Sequence, residues 1–225
     1  MLLPILLLAA GAVGLAASWG LIWLYAPVEA VMGPVQKIFY IHLPLSWWAL
    51  ISFFLVFCFS IAYLVRRTSF WDHAAQAAAE VGILFTTLCL ITGILWGRRS
   101  WGVWWTWDPR LSTALVMWFV YMAYLLLNSL SLTAQRRMLI RAVVGIVAFA
   151  DVPLVFLSAR LWRSIHPAVF ASKGGGLEHE MLVTVIVSTA VMGLFWLGLV
   201  LMRKEQLCAQ EKLDTLLFLA QTKNS

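Results

Sequence analysis

The stretch that decides the fold begins as G-I-L-F-T-T-L-C-L-I-T-G-I-L-W (Gly82–Trp96). After a short polar break it continues as W-G-V-W-W-T-W-D-P-R-L (Trp101–Leu111) and then S-T-A-L-V-M-W-F-V-Y-M-A-Y-L-L-L (Ser112–Leu127). These belong to two apolar runs, Ala74–Trp96 and Leu111–Leu132, each long enough to cross a bilayer, which flank a gap holding four tryptophans, an aspartate and an arginine. Interfacial anchoring uses one or two tryptophans per membrane face. Four within seven residues exceed that need, so the cluster reads as a platform for something large, flat and apolar.

Outward from this gap the chain is apolar almost throughout. Hydrophobic residues make up 63% and charged residues 12%, against roughly a quarter charged in a soluble domain. Too little polar surface remains to cover a water-soluble globule. The formal charge of +6 does not point to nucleic acid, because the basic residues lie in short clusters between apolar runs, where they set membrane orientation.

A bilayer core of about 30 Å needs about 20 apolar residues as helix. Six runs qualify: Leu3–Tyr25, Leu43–Val65, Ala74–Trp96, Leu111–Leu132, Val143–Leu161 and Met181–Met202. The first lacks a basic start and is too long for a signal-peptide core, so it is read as a helix. The expectation is an all-α, polytopic six-helix bundle over residues 1–203 with a short interfacial tryptophan-rich segment. Residues 204–225 then form a polar cytoplasmic tail.

Six spans put both termini on one side. That side carries Arg66, Arg67, Arg136, Arg137, Arg141, Arg203, Lys204, Lys212 and Lys223 and is predicted to be cytoplasmic. The outer side holds loops over about 26–42, 97–110 and 162–180, with Lys37, Arg98, Arg99, Arg110, Arg163 and Lys173, and Arg160 at its border. A basic outer face asks for anionic ligand groups. Gly174, Gly175 and Gly176 read as a plain loop, since no Lys-Ser/Thr follows to make a phosphate cradle.

No C-x-x-C pair exists; Cys58 and Cys89 sit in apolar runs and Cys208 in the tail. Thiol redox chemistry is therefore not expected. Nor is there a G-x-x-x-x-G-K-[ST], so any energy source lies outside the chain.

Topology sorts the four histidines. His73 falls on the cytoplasmic side, and His42, His166 and His179 on the side of the tryptophans. His42, in F-Y-I-H-L-P, and His166, in R-S-I-H-P, each lie beside a proline that constrains the backbone. Two imidazoles at one membrane face could ligate a metal from opposite sides. His179, in L-E-H-E-M, reads better as a helix start, with Glu178 and Glu180 at its N-terminus, than as a hard-metal site.

Trp101, Trp104, Trp105 and Asp108 follow i, i+3, i+4, i+7, one face of a helix. A short interfacial helix would present three indoles together and turn Trp107 away. Asp108 is expected to orient the segment by pairing with Arg110 or a nearby N–H. Haem fits these features jointly: its plane suits indoles, its iron takes two histidines, and its propionates suit Arg98, Arg99, Arg110 or Arg163. Copper or zinc would leave the tryptophans unexplained, and a quinone would leave the histidines unexplained. Two carboxylates fall within apolar runs. Asp151 lies in the fifth beside Pro153 and Glu80 near the inner end of the third; each is a functional candidate, with a neutral or hydrogen-bonded acid as the plainer reading.

The motifs Y-I-H-L-P with His42, I-T-G-I-L-W-G, W-G-V-W-W-T-W-D-P-R-L-S and L-W-R-S-I-H-P with His166 closely resemble the cytochrome c maturation protein C family. This is the small branch of the tryptophan-rich haem-handling membrane proteins. The resemblance runs over most of the chain. It implies a bacterial inner-membrane protein that binds non-covalent haem b at the periplasmic face. His42 and His166 would be the axial ligands, with Trp101, Gly102, Trp104, Trp105, Trp107, Asp108 and Arg110 around the haem. It further implies delivery to a haem chaperone beside subunits of an ATP-binding cassette transporter and a small membrane subunit. Arg98-Arg99 replaces an expected Lys-Pro, Ser112 a threonine, and Asp151 an asparagine. Other functions stay open: a haem lyase that attaches haem itself, a haem-translocating permease subunit, or a structural subunit. The lyase lacks an outer cysteine or acid–base pair, and the permease lacks polar residues along the spans.

Overall fold

The structure is a computed structural model that describes residues 2–162, 164–166 and 177–224. It is all-helical among the described residues, with six helical stretches long and apolar enough to cross a membrane. Helix α1 spans Leu2–Gly20 and ends in a π-helical turn, Leu21–Tyr25. A 3₁₀ turn, Pro34–Ile38, leads into α2, Phe39–Arg66. Then come α3 (Ser69–Trp101), α4 (Pro109–Leu126), α5 (Ala134–Ala148), α6 (Asp151–Leu161) and α7 (His179–Asn224).

The fifth apolar run is broken into α5 and α6. Ala150 and Val152 donate to carbonyls only three residues back, Val147 and Phe149, both at 3.1 Å. Pro153 follows in the first turn of α6, where a missing N–H is tolerated. Asp151 opens that turn, and one carboxylate oxygen has no partner among the described residues. It lines a groove of about 410 Å³ otherwise walled by valine, alanine and leucine from α4, α5 and α6. Glu80 is engaged: the Arg203 guanidinium donates to it from α7 at 2.5 and 3.2 Å, and the Gln76 amide at 2.9 Å.

The bundle is tied at this end by a second ion pair. Arg141 of α5 reaches both carboxylate oxygens of Asp72 on α3 and also bonds Gln76 and Asn128, with both charges buried. Removing one partner of such a pair strands the other, at a cost of about 3–5 kcal/mol. Elsewhere two indoles find partners across helices. The Trp118 indole donates to the Thr87 hydroxyl at 2.8 Å, and Trp196 donates to Ser52 at 2.7 Å. Helix α1 packs closely on α7, because a side chain at Gly11 would meet the Phe195 backbone at 2.6 Å.

Helix α7 is 46 residues long, about 70 Å at 1.5 Å per residue. The charged residues after Met202 remain helical, so the last span continues well past the depth of an apolar core.

Candidate functional site

The site is built at the end of the bundle where α2, α4 and α7 begin and α3 and α6 end. His42 lies within α2, one turn from its start, because the 3₁₀ turn at Pro34 starts the helix earlier than the apolar run alone suggests. Its ring rests on one face of α3 formed by Cys89, Thr92, Gly93 and Trp96. Its Nδ1 is 3.0 Å from the Thr92 hydroxyl, and the Cys89 sulfur is 3.8 Å from both ring nitrogens. Gly93 makes room, since a Cβ there would sit 3.1 Å from the imidazole Cε1. These four residues repeat at i, i+3, i+4, i+7. That signal was available in the sequence but is inconspicuous inside a run where every face is apolar.

His166 approaches from a different part of the chain. Its ring centre lies 6.4 Å from that of His42, with the planes 32° apart. Metal–nitrogen bonds of about 2 Å on opposite sides of one ion put imidazole centres roughly 6 Å apart. The pair therefore suits a single metal held between two histidines. Trp96 completes a triangle, 6.3 Å from His42 and 6.1 Å from His166. Its indole N–H is buried without a partner among the described residues.

Asp108 explains how His166 gets there. Its side chain caps α4, accepting from the Arg110 backbone N–H at 2.9 Å. The same carboxylate accepts from the Ser164 hydroxyl at 3.0 Å and the Ile165 N–H at 2.8 Å. Ser164 in turn accepts from the His166 N–H at 3.1 Å. Burial pushes the Asp108 carboxyl upward. The N–H and O–H donors from Ile165, Ser164, Arg110 and Leu111 outweigh it and hold the group below its ordinary value. The expected partner of Asp108 was Arg110 or a nearby N–H; it is the backbone of Arg110, together with donors from the His166 segment.

The tryptophan segment is not a helix. Gly102, at φ +75°, ends α3 in the left-handed region, where a residue with a Cβ is strained. Pro109 opens α4, and the residue before a proline is steered to extended backbone, as Asp108 is at ψ 140°. Residues 102–108 thus form an irregular link, and Trp101, Trp104 and Trp105 do not share one helix face. Trp101 packs against Trp96 at 6.4 Å and Trp105 edge-on to Trp107 at 6.0 Å. Trp104 and Trp107 are 59% and 78% exposed, so they are free to meet a partner or lipid.

The candidate anion partners divide. Arg98 bonds the Gly102 carbonyl and lies over Trp104, 5.5 Å from the ring centre. Arg99 is exposed, and Arg110 is half-buried within electrostatic reach of His42 and Cys89. Arg163, Lys173 and the Gly174–Gly176 run lie outside the described residues. Lys37 is no surface charge: its ammonium is buried on the carbonyls of Ile22 (2.5 Å) and Ala26 (3.2 Å). His179 opens α7 with Glu180 in the first turn. No group of three or more His, Cys, Asp or Glu side chains able to hold a metal occurs among the described residues.

Fold and site together define an all-helical, multi-pass membrane protein with two histidine rings 6.4 Å apart at one end. Residues 1–218 match the family described as Heme exporter protein C, and the chain belongs to that family. A Heme exporter protein C from Bradyrhizobium diazoefficiens is 34% identical over 184 residues, covering 80% of this chain and 70% of that one. One from Haemophilus influenzae is 29% identical over 216 residues, 93% of this chain and 86% of the other. A putative cytochrome c biosynthesis ccmC-like mitochondrial protein from Marchantia polymorpha is 28% identical over 167 residues, 74% and 70% of the two chains.

Proposed function

We propose that this chain binds haem at the periplasmic face of the bacterial inner membrane and hands it to a haem chaperone during cytochrome c biogenesis. The observation that carries this is the 6.4 Å spacing of His42 and His166, held by elements far apart in sequence. Haem is the cargo, non-covalent haem b. Its iron accepts two imidazoles and can exchange one of them for a ligand on a receiving protein. His42 supplies one ligand from a rigid helix; His166 supplies the other from a short segment held by Asp108. Arg110 and Arg99 are the described cations left to meet propionates. With no P-loop in the chain, subunits of an ATP-binding cassette transporter, with a small membrane subunit, supply the energy-coupled step.

The orientation rests on the basic residues. Lys37 and Arg141 are both buried and drop out of the comparison from opposite sides, which leaves its direction unchanged. Termini and the Arg66–Arg67 and Arg136–Arg137 loops are cytoplasmic, and the histidine end is periplasmic. Reporter fusions at Arg66 and Arg136 are expected to read as internal, and those at Ser100 and Lys173 as external. A tryptophan segment that reports as cytoplasmic would overturn both the topology and the site.

Residues Trp101–Arg110 are the platform through which haem passes on. The iron ligands lie elsewhere, so substituting Trp105 and Trp107 by alanine is expected to slow transfer to the chaperone. Bound haem in that variant should stay six-coordinate. Delivery at the normal rate would reduce the segment to a membrane anchor.

A further inference from the structure

We propose that Thr92 is a positioning residue that holds His42 in the tautomer with its proton on Nδ1, which leaves the Nε2 lone pair for a ligand. A threonine hydroxyl has one proton to give. In Thr92 that proton goes to the backbone of its own helix, with the Leu88 carbonyl at 2.8 Å and the Cys89 carbonyl at 3.0 Å. Toward His42 Nδ1, at 3.0 Å, the oxygen can then only accept. The imidazole must be the donor, so its proton sits on Nδ1.

The other neighbour does not compete for Nε2. The Cys89 sulfur is 3.8 Å from Nδ1 and 3.8 Å from Nε2. An atom equidistant from both nitrogens lies along neither in-plane lone pair. Gly93 beneath the ring keeps His42 close enough to Thr92 for the bond to form. A ligating histidine whose second nitrogen donates to a fixed acceptor is oriented and made more basic, and losing such a partner typically weakens metal binding about 10–100-fold.

The tautomer claim stands on these distances; only its consequence for affinity rests on the haem reading. The direct test is nitrogen NMR of the full-length, haem-free protein labelled with ¹⁵N-histidine. The His42 signals are identified by their loss in His42→Ala. The expected result is a proton-bearing Nδ1 and a bare Nε2. Thr92→Val should mix the tautomers and weaken the affinity for added hemin about tenfold or more, while Thr92→Ser restores both. A proton found on Nε2 in the unsubstituted chain overturns the proposal. So does a Thr92→Val protein with unchanged tautomer and hemin affinity. Should Thr92→Val fail to fold, the unsubstituted chain and Thr92→Ser still decide it. A protein with Nδ1 protonated that takes up no hemin would uphold the role of Thr92 and refute the haem reading.

Discussion

Replacing Asp108 by alanine is expected to lower haem retention as much as replacing His166 itself, although the bonds of Asp108 go to backbone N–H groups and to the Ser164 hydroxyl. Its carboxylate accepts bonds from the start of α4 and from Ser164 and Ile165, so it fastens the His166 segment to a rigid helix. Loss of an N-cap costs about 1 kcal/mol, and each hydrogen bond to a charged acceptor contributes about 1.5–3 kcal/mol. Residues 164–166 have no helix of their own, and these bonds tie the segment to the start of α4. Helical content should be unchanged by circular dichroism, because the six spans do not depend on this group. Asp108→Asn, which keeps an acceptor oxygen but loses the charge, should retain an intermediate amount of haem. Normal haem content in Asp108→Ala would show that something else holds the segment.

The same carboxylate predicts a pH dependence. Its value is held below the ordinary one in the folded protein, so its contribution is complete above about pH 4, the ordinary carboxylate value. It is lost as the pH falls through the lowered value. The fastening should survive mild acidity, around pH 5, and release only in stronger acid. This is measurable as the protection of the Ile165 amide against hydrogen exchange.

The six spans were legible because nothing but a membrane bundle can bury runs as apolar as Leu43–Val65 or Met181–Met202. His42, His166 and Asp108 stood out for the opposite reason, as polar residues at the rims of those runs. The shape of the tryptophan segment was not legible from its spacing. Its i, i+3, i+4, i+7 pattern fits a helix, yet Gly102 turns the chain into the left-handed region and Pro109 steers Asp108 to extended backbone, so the helix is interrupted between them. Cys89, Thr92, Gly93 and Trp96 escaped for a different reason. Within a run that is apolar on all sides, no face contrasts with another, so the line of residues under His42 carried no amphipathic signal. The break before Asp151 falls at Phe149 and Ala150, ahead of Pro153, because a proline is accepted in a first helical turn and excluded only beyond it. Glu80 and Asp151 looked alike in sequence. One meets Arg203 across the bundle and the other meets an apolar groove, a distinction that only the packing makes.

The second large effect concerns the ligands themselves. His42→Ala and His166→Ala each remove one of two imidazoles whose ring centres lie 6.4 Å apart. No neighbour restores a second imidazole, since Trp96 offers only a donor N–H, Cys89 could offer only a sulfur, and the other histidines lie on other elements. Each single variant should therefore lose the six-coordinate, low-spin state, and the double variant should lose haem altogether. The visible absorption spectrum of the purified full-length protein, beside its His42→Ala and His166→Ala variants, tests this most directly. The expected result is a low-spin bis-histidine spectrum in the unsubstituted chain and its disappearance in each variant. An unchanged low-spin spectrum and haem content in both single variants would contradict it.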